Sequence, residues 1–189
     1  MSKSIAIFAS GTGSNFQALV NAFAGRTDIV IRALVCDHAD APVVAKATRA
    51  QIPVIVVDYR TAGSKTTAER RILAQLPPID LIVLAGYMRI LGPTLLNAYP
   101  QRIINLHPAL LPSFPGRTGI EDAWHYGVKV TGVTVHYVDA GVDSGQIIAQ
   151  VPVPITTGMS LEDLTAQIHR VEHQLLPATV RQLVQGGTI

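Results

Sequence analysis

Ser4-Ile-Ala-Ile-Phe-Ala9-Ser10-Gly11-Thr12-Gly13-Ser14-Asn15-Phe16 is a short apolar run that breaks into a glycine-rich turn and then into a helical pattern. A run without a polar face suits a strand covered on both sides, as strands of parallel sheets are. The unit recurs. Ile29–Cys36, Pro53–Val57, Asp80–Leu84 and Arg102–Leu106 read as further strands, separated by helical patterns at Ser14–Ala24, Ala41–Ala50, Lys65–Gln75 and Pro93–Ala98. This alternation predicts an α/β fold built on an open, doubly wound, mostly parallel sheet. After a helix at Ile120–Tyr126 the rhythm changes: Val128–Val138 and Gln146–Val153 are strand-like runs whose connection is short enough for an antiparallel hairpin. Ser160–Gln185 reads as a long amphipathic helix, with Ser160 and Asp163 placed for a capping box and Pro177 expected to kink or divide it.

With 48% hydrophobic residues in 189, the chain can bury a full core, and one domain over residues 1–189 is expected. A net charge of +2, 15% charged residues and no Lys/Arg run argue against a nucleic-acid partner and leave a small anionic substrate compatible. The lone Cys36 excludes an internal disulfide framework. The opening apolar run is too short for a signal peptide and no stretch approaches membrane-spanning length, so a cytoplasmic protein with no membrane partner is expected.

In the first turn, glycines let the backbone bend sharply, and the N–H groups and dipole of the following helix attract an anion. A phosphate monoester is the natural guest. A dinucleotide site of the type G-x-G-x-x-G competes, with Asp37 near the position of a ribose-binding acid, but Phe16 stands where the third glycine would be. The bland alternative is that Ser14 caps the helix and the glycines merely turn the chain.

Asn105 and His107 end the fifth strand two residues apart, so in an extended chain they face one side, and Pro108 holds His107 extended. Asp143, in the glycine-rich loop from Asp139 to Gly145, supplies a carboxylate. An amide and an imidazolium suit the oxyanion formed when a carbonyl is attacked, and a neighbouring carboxylate favours the charged ring. None of the three is a good nucleophile, so the attacking group would come from a substrate. Singly, each has a duller role: a strand cap, a core histidine, a turn residue. Ser144 does not sit in a nucleophile elbow, and Cys36 has no base beside it in sequence. His169-Arg-Val-Glu172-His173 matches a helical zinc pattern, yet no Asp, Glu, His or Cys follows it; metal is not expected, and His169 and Glu172 are free to meet substrate hydroxyls.

Ser10-Gly-Thr-Gly-Ser-Asn15, Leu84-Ala-Gly-Tyr-Met-Arg-Ile-Leu91, Asn105-Leu-His-Pro-Ala-Leu-Leu-Pro112, Gly132-Val-Thr-Val-His136, Asp143-Ser-Gly145 and Glu172-His173 together resemble the phosphoribosylglycinamide formyltransferases of purine biosynthesis, over about Ile5 to Val180. The resemblance implies a Rossmann-like formyltransferase fold and transfer of a formyl group from 10-formyltetrahydrofolate, as co-substrate, to glycinamide ribonucleotide. It implies that Gly13, Ser14 and Asn15 hold the ribonucleotide phosphate while Glu172 and His169 contact the ribose. The folate would lie against Lys65, Met88, Arg89, Ile90, Leu91, Asn105 and the loop Asp139, Ala140, Gly141, Val142, Asp143. Asn105 and His107 would polarise the formyl group, Asp143 would keep His107 protonated, and the glycinamide amine would attack directly, without metal. Three departures stand out: Ala109 where serine is common, no histidine in Arg117–Ile120, and only a loose match at Lys65. The alternatives are a formyltetrahydrofolate hydrolase and a non-catalytic dinucleotide-binding module; methionyl-tRNA formylation is disfavoured, since no extra basic domain to hold tRNA is expected. A monomer or a homodimer fits equally.

Overall fold

A computed structural model describes residues 2–189. Thirteen elements follow in chain order: β1 Lys3–Phe8, α1 Ser14–Phe23, β2 Ile29–Cys36, α2 Pro42–Arg49, β3 Val54–Val56, α3 Lys65–Gln75, β4 Leu81–Leu84, α4 Pro93–Ala98, β5 Ile103–His107, α5 Gly119–Tyr126, β6 Val130–Tyr137, β7 Ile147–Pro154 and α6 Leu161–Gln185. The strands form one seven-stranded sheet in the order β3-β2-β1-β4-β5-β6-β7. The first five run parallel, whereas β6 is antiparallel to β5 and β7 to β6.

β1 shows why the apolar runs become central strands. Ile5 and Ile7 face one core, Ala6 and Phe8 the other, and all four are fully buried. One core packs Phe16 and Leu19 of α1, Val43 and Ala47 of α2 and the apolar stripe of α6 against the sheet. The second packs Ala68 and Ile72 of α3 and Leu95 of α4 against the opposite face. Each large aliphatic side chain so buried contributes about 1.5–3 kcal/mol, so neither face can be left uncovered.

The capping box at Ser160 forms as its spacing demands: Ser160 Oγ accepts from the Asp163 N–H at 3.1 Å, and the Asp163 carboxylate accepts from the Ser160 N–H at 3.0 Å. Pro177 does not divide the helix, which runs unbroken for 25 residues. Its ring leaves the His173 carbonyl without its usual helical donor, but Leu176, Pro177 and Val180 are all buried where α6 packs on α1 and the β6–β7 hairpin.

From β1 the chain winds outward through β2 to β3, then returns to β4 on the other side of β1. The turns after β1 and β4 therefore diverge, which opens a crevice at the carboxyl ends of the strands.

Candidate active site

Asn105 and His107 occupy the end of β5, and the antiparallel register sets Asn105 opposite His136 and His107 opposite Thr134 on β6. Asp143 arrives from the loop joining β6 and β7, in a left-handed backbone conformation with φ +50°. Such strain costs about 1–3 kcal/mol and persists only where surrounding contacts impose it. The contacts are present. Asp143 Oδ2 accepts the Gly116 N–H at 2.8 Å and lies 3.4 Å from His107 Nδ1. Its Oδ1 accepts from Asn105 Nδ2 at 3.4 Å and lies 3.6 Å from His136 Nε2.

Burial pushes the Asp143 carboxyl up, but hydrogen bonding from His136 and Gly116 and the two imidazoles outweigh it, so the group sits below the ordinary carboxylate range. The His107 ring, 2% exposed as a residue, donates Nε2–H to the Phe114 carbonyl at 2.8 Å while Nδ1 faces the carboxylate. Both ring nitrogens thus face acceptors, an arrangement that only the imidazolium satisfies fully. Gly119 makes room for the ring, since a Cβ there would stand 3.2 Å from Nε2. Ala109, where the resemblance expected serine, is held through its carbonyl, which accepts the Thr134 hydroxyl at 2.7 Å.

His136 is the site residue that sequence reasoning did not assign. Its Nδ1 donates to the Tyr137 carbonyl at 2.8 Å, and its Nε2 lies 3.2 Å from Asn105 Nδ2. A neutral ring accepts the Asn105 N–H there; a charged one donates to Asp143 instead. The signal was the polar residue ending the apolar run Gly132-Val-Thr-Val, but only the strand register shows that it faces Asn105.

At the first turn, Gly13 is the N-cap of α1 with φ +72°, and no side chain caps the helix. The expectation that Ser14 merely caps is therefore not met, and no acidic residue occupies the first turn. A Cβ on Gly13 would meet the Val43 side chain, lying 2.7 Å from its Cβ, so glycine is required by packing as well as by backbone sign. Phe16 is fully buried in the core rather than placed at a ligand. Asp37, the alternative ribose-binding acid, has a fully buried carboxylate that accepts from Arg89 Nε at 2.6 Å. The dinucleotide reading thereby loses its acid.

Glu172 Oε2 accepts from Asn15 Nδ2 at 3.0 Å and from His169 Nδ1 at 2.8 Å, which ties α6 to the start of α1. The hydrogen bond to Glu172 raises the His169 imidazole above its ordinary value, whereas burial lowers His173. His169 and His173 stack nearly parallel with centroids 6.4 Å apart. Among the described residues no group of three or more His, Cys, Asp or Glu side chains is placed to hold a metal ion.

One cavity of about 630 Å³ connects these parts. Its walls include Gly13, Ser14, Asn15, His169 and Glu172 at one end, Asn105, His107, His136 and Asp143 in the middle, and Lys65 and Met88–Leu91 with Asp139, Gly141 and Val142 beyond. Ala140 is exposed in the same loop but does not line the cavity. Asp139 Oδ1 organises that loop by accepting the Gly141 N–H and the Ser144 hydroxyl, at 3.0 and 2.8 Å. Cys36 is buried, its Sγ 3.2 Å from the His38 carbonyl, and burial pushes its thiol up, so it is no nucleophile.

The model of the formyl transferase family matches residues 3–180, the whole sheet and most of α6. The chain belongs to the formyl transferase family. Among formyl transferases it is 44% identical over 185 residues to a phosphoribosylglycinamide formyltransferase of Bacillus subtilis, covering 96% of this chain and 95% of that one. The crystal structure of phosphoribosylglycinamide formyltransferase from Bacillus halodurans superposes with a TM-score of 0.93 at 49% identity, over 96% of this chain and 95% of that one. A glycinamide ribonucleotide transformylase from Geobacillus kaustophilus gives a TM-score of 0.93 at 48% identity, over 97% and 100% of the two chains. The mostly parallel sheet with its antiparallel β5-β6-β7 end is thus the formyltransferase fold. No helix among the described residues is long and apolar enough to cross a membrane.

Proposed function

We propose that the chain, acting as one formyltransferase domain, transfers the formyl group of 10-formyltetrahydrofolate to the amine of glycinamide ribonucleotide. The observation that carries this reading is a single cavity with an uncapped helix start at one end and the Asn105–His107–Asp143 cluster at its centre. The free N–H groups at Gly13, Ser14 and Asn15 receive the phosphate, and Glu172 with His169 receives the ribose hydroxyls. The folate lies along Lys65, Met88–Leu91 and the loop from Asp139 to Asp143, with its formyl group beside Asn105.

The ribonucleotide amine attacks the formyl carbon, forming a C–N bond as the carbonyl electrons move to oxygen. The Asn105 amide and the positive charge of the His107 imidazolium, whose own N–H groups are turned to Phe114 and Asp143, stabilise that oxyanion, with Asp143 balancing the imidazolium charge. The proton lost by the attacking amine is passed to N10 of the folate as the carbon–N10 bond breaks, and the Asp143–histidine cluster is the local route for it. No protein nucleophile enters: Ser144 Oγ donates to Asp139 and Cys36 is buried.

Mixing the purified protein with 10-formyltetrahydrofolate and glycinamide ribonucleotide should release deformylated folate only when both are present. Formate release indifferent to the ribonucleotide would instead identify a hydrolase, and tight NAD or NADP binding without formyl turnover a dinucleotide module.

A further inference from the structure

Residues 86–91, between β4 and α4, wall the cavity but carry no regular secondary structure. Met88 and Ile90 are 52% and 59% exposed, and of the segment's large side chains only Tyr87 and Leu91 are buried in the second core, which leaves its middle without an apolar anchor. Polar contacts from neighbouring elements hold the rest. Ser10 donates its N–H to the Gly86 carbonyl at 3.0 Å, and its hydroxyl accepts the Met88 N–H at 2.9 Å. The Arg89 guanidinium turns to Asp37, just past β2, and lies 5.4 Å from the centroid of the Tyr59 ring. At the far end the Glu69 carboxylate of α3 accepts the N–H groups of Gly92 and Leu95, the latter at 3.3 Å. Glu69 and the Asp37 side chain are fully buried, and neither residue lines the cavity.

We propose that Asp37 and Glu69 are positioning residues: two buried carboxylates that clamp both ends of the Met88–Leu91 segment in the shape that accepts the formyl donor. The proposal rests on the assignment of this half of the cavity to the folate. It also commits the Arg89 Nε–H to Asp37 rather than to a ligand. A charge-assisted hydrogen bond to a buried carboxylate is about twice as strong as a neutral one. Replacing the carboxylate by its amide therefore slackens the segment without emptying the site.

The test is calorimetric titration of Asp37→Asn, Glu69→Gln, Arg89→Gln and the double variant Asp37→Asn/Arg89→Gln, separately with 10-formyltetrahydrofolate and with glycinamide ribonucleotide. Each single substitution should weaken donor binding by about tenfold, the low end of what a hydrogen bond to a charged group contributes. Ribonucleotide binding should stay within about twofold, and the double variant should be no weaker than Arg89→Gln alone, since coupled partners do not add. Donor affinity unchanged in Asp37→Asn and Glu69→Gln, or equal losses for both ligands, would overturn the proposal. Arg89→Gln, whose side chain is only partly buried, supplies the same readout should Asp37→Asn fail to fold. A wild-type protein that binds donor without transferring formyl would refute the functional reading while leaving the clamp to be judged by the donor affinities alone.

Discussion

Asp143→Asn is nearly isosteric, so its effect isolates the charge. If the amide oxygen takes the place of Oδ2, it keeps the Gly116 N–H at 2.8 Å, but the NH₂ group then faces the Asn105 NH₂ at 3.4 Å. The flipped amide is worse, setting NH₂ against the Gly116 N–H. In the better orientation His107 Nδ1 meets a neutral carbonyl, and the imidazolium loses the charge partner it has at 3.4 Å. Hydrogen bonds to charged groups contribute about 1.5–3 kcal/mol, and loss of one oxyanion-stabilising donor costs about 2.7–4 kcal/mol. The two ranges meet near 3 kcal/mol, so kcat for formyl transfer should fall on the order of 10²-fold. Neither KM should change by more than about threefold, because the interaction is made chiefly in the transition state. Steady-state rates with each substrate varied decide the matter: a kcat close to wild type, or a loss confined to KM, refutes the role given to the carboxylate. The pH behaviour follows with its sign. The folded-state value of Asp143 is depressed below the ordinary figure of about 3.9, so its stabilising contribution is complete above that figure and is lost as pH falls through the depressed one. Asp143→Asn should remove this component of acid destabilisation.

Gly13→Ala combines a positive φ, at about 1–2 kcal/mol, with overpacking against Val43, at about 1–3 kcal/mol; it should lower Tm by several degrees and weaken the ribonucleotide more than the donor. Wild-type melting and ribonucleotide binding would contradict this. Glu172→Gln removes the partner that raises His169, so the His169 resonance should titrate closer to about 6.5. The ion-pair contribution of His169 to stability is present below that ordinary value and fades as pH rises through the raised one; an unmoved titration would show that Glu172 is not the cause. His136→Phe should reduce kcat on the order of 10²-fold with less change in either KM, and full activity would make its place beside Asn105 incidental.

The fold was legible because its central strands are buried on both faces, and such strands write themselves as apolar runs: Ile5 to Phe8 and Leu81 to Leu84 leave no polar face to misread. Asn105 and His107 were legible for an equally local reason, the two-residue period of an extended chain. Asp143 was placed by its loop and by resemblance, since no periodicity governs a residue at φ +50°. His136 was not assigned because its partner depends on antiparallel register, fixed by the long excursion between β5 and β6 rather than by either strand. The Asp37–Arg89 pair spans 52 residues and two different turns, so nothing local announces it, and Asp37 read instead as a ribose acid. Pro177 does not divide α6, because burial along the helix outweighs the lost backbone bond.

The change of strand direction at β6 is also what makes the site possible. Five parallel strands place an anion-receiving turn and the Asn105–His107 pair at one edge, yet the acid just past β2, Asp37, is held by Arg89 rather than facing His107. Reversal at β6 sets His136 against Asn105 and ends the strand opposite Ile104, from where the hairpin loop brings Asp143 back to His107. Asp143 needs a strained backbone to complete the approach, and the Gly116 N–H is the contact that holds it there. The parallel half thus fixes where an anion can sit and the antiparallel half fixes where charge can be balanced; a substitution that disturbs only the hairpin loop should therefore cost rate while sparing the phosphate end.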